Sequence, residues 1–596
     1  EMIVSVALGV GAFVLVLGGL LGVLAFGVWM LRRRARKRLP KSMVLELELA
    51  DGISETEASD PLSKVLGRGA LPLRSVLEAL ERAREDKRVK ALVLNCSGAS
   101  MGLAQAEEIR AALVAFRAAG KEVVAFADTF GEGAPGWVSY YLASAADRIV
   151  LQPSGDLNLT GLSAEQPFVR ELLERLGVTP RFQQRYEYKS IVEMFSREDM
   201  SSEAKEALRW IFGDILDVLT HAIVESRTLS DEAALALVEE GPHSGARALE
   251  LGLVDALAYR DEAYEALKET HGEKAKLRYL SHYLQRSRSK YEKGPVIAVV
   301  TGDGDIVRGP SSFNPRSRSS SMGSETVSAA LRSAASSDEV KAIVFRVNTR
   351  GGSYVASDTI WREVVRARES GTPVVAWMGD YAASGGYFVS APANKVVASA
   401  MTLTGSIGVA GGKFVLEGLW PKLGVRFDGI ATHDNAKYFS ANHDYDESGE
   451  KAATDGFDRA YEDFTGKVGS GRALDPETVD GLARGRVWTG RQAMERGLVD
   501  EVGGFEVALA CAKREAEIEG PVSLTDFPRP KELWEQALGG TAKNSEEQGS
   551  TASLGAVLDG VLWWLSLPWT LRELRREGIR TEMPRVFGSS GDFWRQ

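Results

Sequence analysis

An internal duplication constrains this chain more than any other feature, because two copies of one pattern fold as two copies of one unit. The stretch Arg88-Val-Lys-Ala-Leu-Val-Leu94 matches Glu339-Val-Lys-Ala-Ile-Val-Phe345. Each leads into an amphipathic helical run closed by a glycine, Gly120 or Gly371, and then into a second apolar run, residues 122–126 or 373–377. Residues 140–150 echo residues 387–397, both halves pass a Thr-Gly step (Thr160-Gly161 and Thr404-Gly405), and they close on ALELGLVDA at 248–256 and AMERGLVDEV at 493–502. Short β-branched runs alternating with longer helical runs predict α/β units with largely parallel strands. The expected boundaries are 43–280 and 294–515, with residues 281–294 of linker composition between them. The Ser-rich stretch 309–324 carries too little apolar content to pack and is expected to be mobile.

The two ends differ from the body. Residues 2–31 contain no charged side chain and are long enough to cross a bilayer core, which predicts a retained transmembrane anchor rather than a cleaved leader. The flank Arg32, Arg33, Arg34, Arg36, Lys37 and Arg38 would keep the body that follows in the cytoplasm by the positive-inside rule. At the other end, a polar linker at 539–553 precedes an apolar stretch at 554–576. Its Trp563, Trp564 and Trp569 and its trailing arginines suit an interfacial helix or a packed terminal helix equally. A formal net charge of −10 leaves no basic field for a nucleic-acid backbone, so nucleic acid is not an expected partner. Cys96 and Cys511, the only cysteines, form neither a disulfide framework nor a metal-ligand spacing, and no phosphate-binding or dinucleotide motif is present.

Duplicated copies are free to diverge, so polar features found in one half alone are candidates for chemistry. In the second copy an apolar run ends in Asn348-Thr-Arg-Gly-Gly-Ser353, whose paired glycines can turn backbone N–H groups toward a ligand. Further on, Asp380-Tyr-Ala-Ala-Ser-Gly-Gly-Tyr387 puts Ser384 at a strand-to-helix corner. There its hydroxyl can be exposed beside amides able to stabilise an oxyanion. The serine motif taken alone reads equally as an N-cap serine with loop glycines, and the paired Gly351-Gly352 shifts the reading toward catalysis.

AASGGY at 382–387, TLTGSIG at 402–408, VWTGRQAMERGLVD at 487–500 and YKSIVEMFSREDMS at 188–201 resemble the long, duplicated form of the signal peptide peptidase A (protease IV) family. The likeness covers about 43–515. It implies two tandem domains of the Clp/crotonase type, each a spiral of ββα turns, and a Ser–Lys dyad with Ser384 as nucleophile and Lys189 as general base. It also implies oxyanion donors at the N–H groups of Gly352 and Gly385, and Ser406 as the residue that orients the lysine amine. The family further implies a homotetramer, no metal or organic cofactor, apolar peptides such as spent signal peptides as substrates, and a body outside the cytoplasm at the bacterial inner membrane, opposite to what the basic flank argues. One departure stands out: the family's Asp-Ser-Pro-Gly-Gly is Asn348-Thr-Arg-Gly-Gly here, without the proline that stiffens the turn.

A lysine serves as base at neutral pH only when desolvation brings its pKa from about 10.4 to roughly 7–8. Tyr188, Ile191, Val192 and Phe195 are expected as apolar walls, with Glu187 and Glu193 turned away. The alternative base is Lys437, which holds in the second copy roughly the place of Lys189. A Ser-His-Asp triad would call on His433 or His443 with Asp434 or Asp444. The Ser-x-x-Lys matches at Ser202 and Ser448 read as helix caps. The function expected is a membrane-anchored serine endopeptidase. The alternatives are a catalytically silent scaffold of the same fold at the membrane and an acyl-CoA enzyme of the crotonase type.

Overall fold

The structure is a computed structural model that describes residues 39–56, 70–272, 274–314, 319–528 and 580–582. The expected membrane anchor (2–31), the polar linker (539–553) and the apolar stretch 554–576 all lie outside the described residues. Among the described residues no helix is long and apolar enough to cross a membrane.

The first half contributes β1 (Met43–Glu48), β2 (Val89–Asn95), β3 (Glu122–Ala127), β4 (Arg148–Leu151), β5 (Thr179–Arg185), β6 (Ala256–Leu257) and β7 (Lys276–Tyr279). All but β5 form one parallel sheet in the order β6-β4-β3-β2-β1-β7. The near-continuous apolar sequence of its inner strands β1 to β4 follows from burial on both faces. In β2, Leu92 and Leu94 enter the large central core while Ala91 and Val93 pack on the opposite face.

The second half provides β8 (Val296–Asp303), β9 (Asp305–Val307), β10 (Ser312–Asn314), β11 (Ser319–Gly323), β12 (Val340–Thr349), β13 (Gly351–Ser353), β14 (Val374–Ala383), β15 (Lys395–Ala398), β16 (Leu403–Gly405) and β17 (Val409–Val415). It continues with β18 (Val487–Thr489), β19 (Glu501–Val502) and β20 (Ser523–Phe527). Here β20-β8-β12-β14-β15-β19 repeats the neighbour order of β7-β1-β2-β3-β4-β6, with β16 and β18 added beside β14. The strand partner of β8 at 523–527 carries the packed structure past the expected limit of 515, because β8 needs a neighbour on that edge just as β1 needs β7.

The halves share a core. Ala342, Val344, Val375, Trp377 and Phe505 of the second half join the cluster that includes Leu92, Leu94, Ile109 and Phe116 of the first, while Ile343 and Phe345 face a second cluster.

A third sheet crosses between the halves in the order β10-β11-β9-β13-β21-β17-β5, where β21 is Arg580–Glu582. β5 leaves its own half to pair antiparallel with β17 in a register that sets Arg185 opposite Val409 and Thr179 opposite Val415. The Ser-rich stretch departs from expectation: its described residues form the antiparallel pair β10 and β11, with Ser312 and Ser321 hydroxyls 2.9 Å apart. Backbone pairing together with Met322, buried in the second core, supplies what apolar content does not.

Candidate active site

Ser384 sits between β14 and the helix Gly385–Ser390, at φ 56° and ψ −114°. A side-chain-bearing residue rarely adopts positive φ, and such strain persists only where the surroundings over-determine it. Here they do. The Ser384 N–H donates to the Gly405 carbonyl at 2.8 Å, and the Ser384 carbonyl accepts from Phe388 N–H at 2.9 Å as the helix begins. Gly386 lets that helix close onto the glycine turn, since a Cβ there would stand 2.8 Å from Thr349 Cγ2.

The amine arrives through the β5–β17 register. Lys189 follows the end of β5 by four residues, Ser406 precedes the start of β17 by three, and the Arg185–Val409 pairing brings the two together. Lys189 Nζ lies 2.8 Å from Ser384 Oγ, 2.9 Å from the Ser406 carbonyl oxygen and 3.0 Å from Ser406 Oγ. All three side chains are buried, with 0% exposure for Ser384 and 1% for Lys189 and Ser406. The second half forms the lysine's seat. Tyr188 N–H donates to the Arg484 carbonyl, Ser406 N–H to that of Arg486 and Gly485 N–H to that of Ile407. Gly485, at φ +87°, lies so close that a Cβ would stand 2.4 Å from Lys189 N.

The expected walls are realised in part. Val192 is buried, but Phe195 packs with Phe182 and Phe414 in a separate cluster, and the Tyr188 ring lies under the Arg486 guanidinium, 3.7 Å from its centroid. Glu187 pairs with Arg484, and Glu193 accepts the Ser201 N–H. Lys437 stands exposed on the short 3-10 turn Asp434–Lys437, and His433 and His443 are exposed as well. The Ser-x-x-Lys serines are not caps. Ser201 caps the helix Ser202–Arg227, and Asp446 caps Glu447–Arg472, one and two positions earlier than the sequence suggested.

The turn that lacks proline is held by its own side chains. Thr349 Oγ1 accepts Gly351 N–H at 3.1 Å. Asn348 Nδ2 donates to Asp303 at 2.8 Å, while Asn348 Oδ1 accepts Tyr381 N–H at 3.3 Å. The Arg350 guanidinium lies 4.6 Å from the Tyr381 ring centroid. Gly352, at φ +151°, abuts β9 so tightly that a Cβ would meet the Ile306 carbonyl oxygen at 2.2 Å. Sequence reasoning missed Thr349, Gly485 and Asp380: a threonine, a glycine and an aspartate have many uses, and only their neighbours show which applies.

Behind the site lies a buried charge cluster that joins the halves. Arg346 donates to Glu55, Glu108 and the Met378 carbonyl, and stacks on Trp377 at 4.0 Å. Burial, then nearby Glu55, holds the Asp303 and Asp380 carboxyls up to about 6, and burial pushes Glu108 up to about 7. Among the described residues no group of three or more His, Cys, Asp or Glu is placed to hold a metal ion.

A strained serine at a strand-to-helix corner, an amine on its hydroxyl and a glycine turn beside it are the parts of a serine hydrolase. Residues 115–274 and 366–519 match the model of peptidase family S49, the first stretch containing Lys189 and the second Ser384 and Ser406. Protease 4 of Haemophilus influenzae is 32% identical over 566 residues, covering 90% of this chain and 88% of the relative. Protease 4 of Salmonella typhi is 34% identical over 462 residues (75% and 72%), and the chloroplastic serine protease SPPA of Arabidopsis thaliana is 31% identical over 539 residues (88% and 76%). The chain belongs to peptidase family S49 and is a serine peptidase.

Proposed function

We propose that the chain is a membrane-anchored endopeptidase that cuts apolar peptides, spent signal peptides among them, through Ser384 and Lys189. The observation that carries this reading is the 2.8 Å contact between Lys189 Nζ and Ser384 Oγ inside a buried site. Only a neutral amine can take the serine proton, and enclosure away from water favours that form. The neutral amine has two N–H groups and one lone pair. Ser406 accepts both hydrogens, through its carbonyl and its hydroxyl, so the lone pair faces the Ser384 hydroxyl.

As the amine removes that proton, Ser384 Oγ adds to the scissile carbonyl and the N–H groups of Gly352 and Gly385 stabilise the oxyanion. The ammonium then protonates the leaving amine. A water molecule, deprotonated by the same lysine, releases the acyl group. Support for an extended substrate comes from β21, which pairs antiparallel with Gly351–Ser353 and so marks that edge as one that accepts an extended strand.

The same reading takes the two matching sheets as tandem domains of the Clp/crotonase type, the first supplying the base and the second the nucleophile. It places the anchor at residues 2–31 in the bacterial inner membrane and the body on the extracytoplasmic side as a homotetramer. These points rest on the family resemblance and the apolar N-terminal sequence. Digestion of the body by protease added to intact spheroplasts supports that sidedness, and protection would place it in the cytoplasm, as the basic flank argues. Mechanism is tested by peptide hydrolysis and fluorophosphonate labelling of the wild type, Ser384→Ala, Lys189→Ala and Lys437→Ala. The first two substitutions are expected to abolish turnover and the third to preserve it. Activity that survives Lys189→Ala and dies with Lys437→Ala overturns the dyad.

A further inference from the structure

The nucleophile and the amine belong to different halves of the chain, so their 2.8 Å contact depends on how the halves are held in register. One helix of the first half, Leu103–Ala118, touches three second-half segments that build the site. Asp380, four residues before Ser384, accepts the N–H groups of Ala104 at 2.9 Å and Gln105 at 3.3 Å on one carboxylate oxygen. Glu107 accepts the N–H groups of Ala400 at 2.8 Å and Met401 at 3.1 Å, just ahead of the strand that leads to Ser406. Glu108 pairs with Arg346 at 2.9 Å, on the strand that runs into the glycine turn, and accepts Phe505 N–H at 2.8 Å.

We propose that Asp380 is a positioning residue for peptide hydrolysis: its carboxylate, seated on the first turn of this helix, fixes the strand bearing Ser384 against the half that supplies Lys189. The fit is close on both sides. Gly102, the residue just before the helix, has room for no side chain, because a Cβ would stand 2.0 Å from the Asp380 carboxyl carbon. Its φ of −77° is open to any residue, so the space taken by the carboxylate, and not backbone conformation, calls for glycine. The carboxylate also complements the positive end of the helix, and its distance along the strand from Ser384 lets it set position without touching substrate.

This inference rests on the Ser384–Lys189 reading. The full chain carrying Asp380→Ala is expected to lose about 100-fold in kcat with KM within roughly twofold of wild type, since misplacement of a reacting group by ~1 Å costs that much. Asp380→Asn keeps an acceptor for the two amides and is expected to restore kcat to within about fivefold of wild type. Gly102→Ala attacks the same contact from the other side and is expected to reproduce the kcat loss, which keeps the test alive should Asp380→Ala fold poorly. Fluorophosphonate labelling of Ser384 slows in step with kcat. Wild-type kcat in Asp380→Ala, or in a folded Gly102→Ala, overturns the proposal, as does equal loss in Asp380→Asn and Asp380→Ala. Lys189→Ala run alongside separates the two questions: if it abolishes turnover while Asp380→Ala does not, only the positioning role falls.

Discussion

A methyl group on Gly485 is enough to push against the backbone of Lys189. The added Cβ would stand 2.4 Å from the lysine N and 2.6 Å from its Cα, in a left-handed conformation at φ +87° that itself disfavours alanine. Gly485→Ala is expected to lower kcat about 100-fold by moving the amine, read by peptide hydrolysis beside a melting curve that shows the fold intact. Thr349 serves the other side of the site. Thr349→Val leaves the buried Gly351 N–H without its hydroxyl acceptor, at a cost of ~1–3 kcal/mol, and loosens the turn that carries Gly352. Its kcat is expected to fall about tenfold, or ~1.4 kcal/mol of transition-state stabilisation, with KM little changed. Ser384, Lys189 and Ser406 could be named from sequence because they stand in distinctive words. Thr349 and Gly485 could not, because their roles are contacts across the fold.

At the scale of elements, the β5–β17 pairing carries the first half's lysine to the second half's serines. Gly412 in β17 has no room for a side chain in that pairing, since a Cβ there would meet the Arg181 carbonyl oxygen at 2.0 Å. Gly412→Ala is therefore expected to part the two strands and reduce hydrolysis by more than tenfold, while the two main cores, to which this strand pair contributes Val409 alone, keep the chain folded in circular dichroism. The strand β21 occupies the edge of Gly351–Ser353 that an extended peptide would use. A chain ending at Pro528 is expected to show a KM several-fold lower than the full chain, measured on one peptide substrate, because the two strands compete for one set of backbone groups. Within each half the strands and helices were legible, since apolar periodicity is a local signal. The excursion of β5 was not: nothing in Thr179–Arg185 says which sheet it joins.

The whole molecule carries its halves on a charged cluster that is costly to ionise. Asp303 and Asp380 are held up to about 6 and Glu108 up to about 7, against 3.8 and 4.5 for free side chains. The folded chain therefore binds these protons more tightly than the unfolded one. Their contribution to stability is fully present below about pH 4 and lost as pH rises through 6 to 7. Asp303→Asn is expected to raise the thermal midpoint by about 2 °C or more at pH 7.5, with the gain shrinking toward pH 5. A gain independent of pH would show that charge is not the cause. The sequence by itself determined the duplication, the α/β character of each copy, the family and the words that hold Ser384, Lys189 and Ser406, because these are written in local pattern and composition. The tertiary structure decided which strand left its sheet, which glycines had to stay bare, and how the halves were registered. Those follow from contacts between residues hundreds of positions apart, which local sequence does not encode.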